Sequence, residues 1–268
     1  AEWIQTHTIT YNANSATSGS VPDVTTHDRG TNPSVSANDG TLARTGFTFD
    51  GWNTAENGSG NDVTAPGSIT NITEDQVLFA KWYASLSYDA NTGSGTVPTD
   101  NTKYYATTSG PAAPSGSGLS KTGHTFAGWN TAANGTGTPY AVGAPVAVSE
   151  DTTLFAQWTV NTYTVTYQNS SGSGSPPSPQ TFNHGGSVSL ASKPSAMEKS
   201  GFTFGGWKPS GGGAALSPGS DYSTNSDIIF EAYWYASVTY DANGATGGSV
   251  PTDSNKYDSN DLVTVLAN

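Results

Sequence analysis

Two short segments carry the acidic and amide side chains best suited to bind a metal ion. Asp89-Ala90-Asn91 and Asp241-Ala242-Asn243 both follow an alternating apolar segment, and their oxygens are of the kind that calcium prefers. Each segment supplies only two such side chains, whereas calcium takes about six to eight oxygen ligands. Residues 12–14 and 168–170 hold the same place in related stretches and contain no carboxylate. We interpret these segments as turns closed by side-chain hydrogen bonds, and we predict no metal site and no cofactor.

The histidines do not form a catalytic or metal-binding pattern. They are His7, His27, His124 and His184. Only His124 lies inside a repeated motif, where the corresponding residues are Phe47 and Phe202, so this position favours a packed ring over a proton-transfer group. The sequence has no cysteine and none of the common nucleophile, zinc or phosphate-binding motifs. It therefore predicts that the protein is not an enzyme.

Two motifs recur along the chain at nearly constant spacing. The first ends in Gly-Trp and covers residues 45–52, 122–129 and 200–207. The second ends in tryptophan and covers residues 78–82, 154–158 and 230–234. Such regular recurrence is typical of tandem modules, each of which supplies its own strands and turns.

The motifs divide the chain into three complete modules and a partial one. The last segment opens like the others but has no Gly-Trp motif, and we expect the chain to be part of a longer protein. The predicted segments are the tail of a preceding repeat (1–6), repeat 1 (7–82), repeat 2 (83–158), repeat 3 (159–234) and a partial repeat 4 (235–268).

Strand signals dominate every module. Apolar residues alternate with variable ones in residues 78–82, which is the period of a half-buried strand. Helical candidates are short, such as residues 194–199, so the sequence predicts mostly β modules of a small α+β type, with at most one short helix each. The predicted structural core consists of Phe49, Trp52, Leu78, Trp82, Phe126, Trp129, Leu154, Trp158, Phe204, Trp207, Phe230 and Trp234.

Composition excludes several classes of partner. The formal net charge is −12, which disfavours nucleic acid and anionic membranes because both attract basic surfaces. No apolar run approaches membrane-spanning length, so we expect no membrane contact by this segment. We expect the chain to be monomeric.

The motifs resemble the Listeria–Bacteroides repeat, the B-repeat family of internalins and other large bacterial surface proteins. Residues 124–134, His-Thr-Phe-Ala-Gly-Trp-Asn-Thr-Ala-Ala-Asn, carry most of the likeness, and residues 208–211 of the third module depart from it. The resemblance covers nearly the whole chain. It implies a compact β-grasp-like module, an extracellular place on the bacterial cell wall or outer surface or in a secreted protein, and no shared catalytic residues.

Two functions follow as hypotheses. The first is a stalk or spacer, an elongated array that holds another domain away from the cell. The second is an adhesive module that binds a host or neighbouring-cell protein or glycan through the loops that differ between copies. Tyr104, Tyr105 and Tyr140 are the candidate ligand-binding residues, because they lie near Gly- and Pro-rich stretches and outside the repeated framework.

Overall fold

The computed structural model describes residues 3–105, 110–259 and 261–267. The chain groups into two compact units, residues 1–159 and residues 160–268. The first unit contains repeats 1 and 2. The second contains repeat 3 and the partial repeat.

Repeat 1 is built on a five-stranded sheet. Its strands are β1 (Thr6–Asn12), β2 (Thr25–Asp28), β3 (Ser34–Val35), β4 (Thr48–Asn53), β5 (Asp62–Val63), β6 (Gly67–Ser68) and β7 (Gln76–Tyr83). The sheet order is β2-β1-β7-β4-β5, and β3 and β6 form a separate two-stranded ladder.

Repeats 2 and 3 each have a four-stranded sheet of the same kind. The strands of repeat 2 are β8 (Leu86–Asp89), β9 (Ser94–Gly95), β10 (Leu119–Ser120), β11 (His124–Asn130), β12 (Pro139–Tyr140) and β13 (Thr152–Val160). Those of repeat 3 are β14 (Thr162–Gln168), β15 (Gln180–Asn183), β16 (Val188–Ser189), β17 (Thr203–Pro209), β18 (Asp221–Tyr222) and β19 (Ile228–Tyr235). The orders are β12-β11-β13-β8 and β15-β14-β19-β17, with β9–β10 and β16–β18 as small ladders.

The first and last strands of every repeat are neighbours and run parallel. β1 pairs with β7, β8 with β13, and β14 with β19. The strand that carries Gly-Trp lies on the other side of the last strand, and it is antiparallel to that strand in repeats 1 and 3. Both recurrent motifs therefore lie side by side in the sheet.

An aspartate ties the start of each first strand to the start of the last one. Its Oδ1 accepts the backbone N–H of a residue in or just before the first strand at 2.8 Å in all three repeats. The pairs are Asp75 with Thr8, Asp151 with Ser85, and Asp227 with Thr164. This backbone hydrogen bond is the main reason that the pKa of Asp75 is lowered.

The backbone conformation explains why a glycine precedes the tryptophan in the Gly-Trp motif. Gly51, Gly128 and Gly206 have φ values of 97°, 122° and 124°, a region that side chains rarely adopt. In repeats 1 and 3 the register of the Gly-Trp strand shifts at this point, as in a β-bulge. The bulge allows two aromatic side chains of one motif to pack in the same core.

Each repeat has its own hydrophobic core. Within each one, the indole N–H of the Gly-Trp tryptophan donates to a carbonyl from the long loop, at 2.7–3.0 Å. The predicted core residues are placed as follows: Trp52, Leu78, Trp82, Trp129, Leu154, Trp207, Phe230 and Trp234 are buried, and Phe49, Phe126, Trp158 and Phe204 pack against them.

The α+β expectation is wrong. The described residues contain strands, bridges, turns and bends but no helix, so the fold is all-β and a β-grasp-like module is not supported. The helical candidate at 194–199 forms a single turn, in which Met197 N donates to Pro194 O at 3.0 Å. Six residues followed by Ser200-Gly201 are too few to offset the free-energy cost of helix nucleation.

The partial repeat adds no strand within residues 236–259 and 261–267. Ala236 and Tyr257 pair through two backbone hydrogen bonds, and Leu266 N donates to the Tyr240 hydroxyl at 2.8 Å. Leu262 is 95% exposed. This segment therefore presents its apolar side chains to solvent rather than to a core.

Candidate functional site

The joint between repeats 1 and 2 has no linker. β7 ends at Tyr83 and β8 begins at Leu86. Between them, Ala84 and Tyr104 exchange both backbone hydrogen bonds, at 2.8 and 3.0 Å. The chain thus passes from the last strand of one repeat into the first strand of the next while it is still paired.

A tight turn holds Tyr104 in place behind the joint. Asp100 accepts the Thr102 N–H at 2.8 Å and the Tyr104 hydroxyl at 2.7 Å. Burial pushes the pKa of Asp100 upward, but these hydrogen bonds outweigh it and the net direction is down. Tyr104 is only 7% exposed, and its ring packs inside the repeat 2 core.

Charged and aromatic side chains from both repeats meet across the joint. Asp50 of repeat 1 accepts hydrogen bonds from the Lys103 ammonium and the Tyr105 hydroxyl of repeat 2. The Lys103 Nζ lies 4.9 Å from the centroid of the Tyr83 ring, and the Lys81 Nζ lies 4.2 Å from that of Tyr105. We call Asp50, Lys81, Tyr83, Lys103 and Tyr105 the clasp. Cation–π contacts of this kind stabilise partly exposed pairs by about 0.5–1 kcal/mol each.

A second contact closes another part of the same joint. Asp151 N donates to the carbonyl of Gly46 at 2.7 Å, and Phe47 packs against the cores of both repeats. Repeats 1 and 2 therefore touch through backbone, apolar and charged groups, as expected for a joint of fixed geometry.

The clasp is expected to weaken at alkaline pH. The hydrogen bond to Asp50 raises the pKa of Lys103 above 10.5. Burial, followed by the same carboxylate, raises the pKa of Tyr105 above 10.0. Because both pKa values are raised, the stabilisation that Lys103 and Tyr105 contribute through their protonated forms is present up to about pH 10. It is lost as the pH rises through their folded-state pKa values.

Ultraviolet titration of tyrosinate tests this expectation. The difference between the native chain and Tyr105→Phe isolates Tyr105, which should ionise later than an ordinary tyrosine. In an Asp50→Ala background its pKa should fall toward the ordinary value. Ionisation of Tyr105 at its ordinary pKa in both backgrounds would contradict the described clasp.

The second unit contains a related joint without the carboxylate. Asp253 accepts the Tyr257 hydroxyl at 2.6 Å, as Asp100 accepts that of Tyr104, and the Lys256 Nζ lies 4.5 Å from the ring centroid of Tyr235. Gly205 stands where Asp50 stands in repeat 1. The joint into the partial repeat thus keeps the turn and the cation–π contact but lacks the ion pair.

The three tyrosines predicted as ligand contacts do not form one site. Tyr104 and Tyr105 both belong to the joint. Tyr105 is 41% exposed, but its hydroxyl is engaged by Asp50. Tyr140 lies in β12, pairs with Trp129 and packs against the repeat 2 core. A ligand role for these residues remains a proposal.

Sequence reasoning missed Asp50 and Lys103. A signal was present, because Pro-Thr-Asp-x-x-Lys-Tyr occurs at both 98–104 and 251–257, which are the two segments behind the joints. Asp50 gave no signal, since the other Gly-Trp motifs have alanine or glycine at its position.

The described residues contain neither a candidate metal-binding cluster nor a candidate membrane-spanning helix. Among them, no three His, Asp or Glu side chains are grouped so as to hold a metal ion. Nor does this part of the chain include a helix with the length and apolarity needed to cross a membrane.

Comparison with known proteins confirms the resemblance inferred from the motifs. The family model of the Listeria-Bacteroides repeat domain matches residues 7–81, 85–157 and 163–233. A protein of Evansella cellulosilytica, provisionally named a Gly-rich membrane protein, is 32% identical over 254 residues, which are 89% of this chain and 28% of the relative. A second protein of that organism, provisionally named a membrane protein, is 32% identical over 175 residues, 61% of this chain and 24% of the relative. The chain thus spans about a quarter of the length of these relatives.

Proposed function

Because the chain belongs to the Listeria-Bacteroides repeat domain family, we propose that it is a spacer segment of a large bacterial surface protein. In this role the repeats hold another part of the protein away from the cell, on the cell wall or outer surface or in a secreted form. The names of the two relatives support a surface or membrane-associated setting. No catalytic step is assigned to the chain.

The joint between repeats 1 and 2 is the observation that carries the proposal. A spacer must keep its modules at fixed spacing, and a linker of several residues would let them rotate freely. Here β7 leads into β8 through Ala84, which is itself paired, and the clasp adds side-chain contacts on both sides. These features support a stiff joint.

Small-angle X-ray scattering on the 268-residue chain tests the spacer. A compact globule of this length has a radius of gyration of about 18 Å. We expect a clearly larger value and a distance distribution with a long tail. An Asp50→Ala/Tyr105→Phe double variant should show a broader ensemble, whereas Tyr140→Phe, which lies outside the clasp, should match the native profile. A native value near that of the compact globule would refute the proposal.

Adhesion is the second candidate function, with a host or neighbouring-cell glycan or protein as partner. One feature favours it, an open groove on the third repeat that is lined by Lys199, Lys208, Glu231 and Asp258. Both candidate functions are compatible with a monomeric chain. Both are also compatible with the net charge of −12, which disfavours binding to nucleic acid or to membranes.

A further inference from the structure

The third repeat carries an open groove along its last strand. Its floor includes Tyr233 and Trp234 of β19, and its rim includes Lys199, Lys208, Glu231 and Asp258. A groove in the corresponding place on repeat 1 is lined by Arg44, Lys81, Trp82 and Tyr105. The third-repeat groove differs from this counterpart in how its polar groups are used.

In the first two repeats an asparagine bracket satisfies the polar groups beside the last strand. Asn14 Nδ2 donates to Glu56 O at 2.9 Å and Ala80 O at 2.8 Å, and the Trp82 indole donates to Asn14 O at 2.9 Å. In repeat 2 the Asn91 amide bridges two carbonyls in the same manner, and the Trp158 indole also has a carbonyl acceptor. These groups are already paired inside the fold.

The third repeat has lost this bracket. Ser170 stands where the other repeats have Asn14 and Asn91, and its side chain is too short to span the same gap. The Trp234 indole N–H and the Asn169 Oδ1 are buried without a hydrogen-bond partner. The whole Trp234 residue is only 6% exposed. An unsatisfied buried polar atom is unfavourable. A ligand that enters the groove and shifts the short turn at 169–172 can therefore form hydrogen bonds with one unpaired donor, the Trp234 indole, and one unpaired acceptor, the Asn169 Oδ1.

The rim of the third-repeat groove combines donors and acceptors. Lys199 and Lys208 are hydrogen-bond donors, and Glu231 and Asp258 are acceptors. The two positive and two negative charges balance. A polyanion gains nothing net from such a rim, whereas hydroxyl groups both donate and accept and can bond to every member of it.

An aromatic shelf lies within the same groove. Tyr233 stacks on Tyr235 with ring centroids 6.2 Å apart and an interplanar angle of 27°. Gly205 permits this arrangement, because a Cβ there would lie 2.6 Å from Tyr233 and 2.8 Å from Tyr235. Asp50 and Ala127 occupy the corresponding positions in the other repeats. A flat phenol ring beside balanced polar groups suits the C–H face of a sugar ring.

We propose that the third-repeat groove binds a neutral carbohydrate. Tyr233 stacks on the sugar ring, Lys199, Lys208, Glu231 and Asp258 bond its hydroxyls, and the Trp234 indole gains an acceptor when the 169–172 turn moves. The inference rests on the adhesive candidate and is independent of the spacer role, since scattering measures shape and the test below measures binding.

The test is titration of the ¹⁵N-labelled 268-residue chain with a panel of neutral glucan, mannan and N-acetylglucosamine oligosaccharides, followed through the indole N–H signals. At least one sugar is expected to shift the Trp234 signal, which Trp234→Phe identifies, with little dependence on salt. Lys208→Ala and Tyr233→Ala should each weaken binding at least tenfold. Lys121→Ala is the matched control, because Lys121 occupies the Lys199 position in repeat 2 and donates to Thr92 Oγ1 at 2.8 Å. It should bind like the native chain.

Ser170→Asn keeps the proposal falsifiable if the other variants lose stability. Restoring the bracket should stabilise the repeat and, at the same time, abolish sugar binding. Three results would each overturn the proposal: no shift with any neutral sugar at millimolar concentration, equal weakening by Lys121→Ala and Lys208→Ala, or binding that weakens steeply as the salt concentration is raised.

Discussion

Replacing Trp129 with alanine is expected to destabilise the second repeat by about 3–5 kcal/mol, the range for removing a buried aromatic side chain. Trp129 is 1% exposed, its ring packs on those of Phe126 and Tyr88 at 5.3 and 5.0 Å, and its indole donates to Pro114 O at 2.8 Å. Hydrogen-exchange mass spectrometry resolves the effect by repeat. Protection in β11 and β13 should collapse while that of repeat 3 persists.

Two substitutions control for the loss of a tryptophan as such. Trp3 is 95% exposed, so Trp3→Ala should leave protection unchanged. Trp129→Phe keeps most of the ring but removes the donor and should destabilise the repeat by less than the alanine variant does. Unchanged exchange in Trp129→Ala would show that the repeat 2 core does not depend on this ring.

Replacing Gly206 with alanine is expected to destabilise the third repeat by about 3 kcal/mol, from backbone strain and overpacking together. Gly206 has a φ of 124°, and a Cβ there would lie 2.3 Å from the carbonyl oxygen of Leu216. Trp207 and Leu216 exchange both backbone hydrogen bonds at 2.8 Å, so this oxygen cannot retreat without breaking the ladder. Chemical denaturation followed by near-ultraviolet circular dichroism measures the loss.

Substitutions at two other glycines separate the effect of backbone strain from that of steric overlap. Gly201 has a φ of 79°, but no atom lies within 4 Å of the place that an added Cβ would take, so Gly201→Ala carries the strain alone, about 1 kcal/mol. Gly211 has neither a positive φ nor a close neighbour, and Gly211→Ala should be close to neutral. If Gly206→Ala were no worse than Gly201→Ala, the close approach to Leu216 would play no part.

Comparison between copies made much of the fold predictable. A single stretch such as residues 78–82 is too short to separate strand from buried helix by its period. Three copies show which positions vary, and the variable ones alternate with Leu78, Ala80 and Trp82, which are buried in the structure. The Gly-Trp strand was predictable for the same reason.

The absence of helix from the described residues was not predictable from local pattern. A six-residue piece such as 194–199 has acceptable helix formers, but its fate depends on how the rest of the long loop packs. Here the loop instead supplies carbonyl acceptors to the buried indoles. Each of these hydrogen bonds joins residues 15 or 16 positions apart in sequence. The short periods of helices and strands do not reveal contacts over that separation.

The joint and the groove depend on contacts between distant residues. Asp50 and Lys103 are separated by 53 positions, and Asp50 has no acidic counterpart in the other two Gly-Trp motifs. In the groove, the change at Lys208 is visible in the sequence, and it predicts a different turn. The unpartnered indole of Trp234 is not visible there, because its counterparts Trp82 and Trp158 donate to backbone carbonyls, which every residue type has.

The parallel pairing of the first and last strands decides how a repeat responds to tension. The chain enters each repeat through one of these strands and leaves through the other, so a pull on the two ends slides them past each other. Every hydrogen bond of the ladder from Ile9–Gln76 to Asn12–Phe79 is then strained at once, rather than opened singly from one end. Repeats 2 and 3 have the same pairing, and each of the three should yield in a separate step of single-molecule stretching.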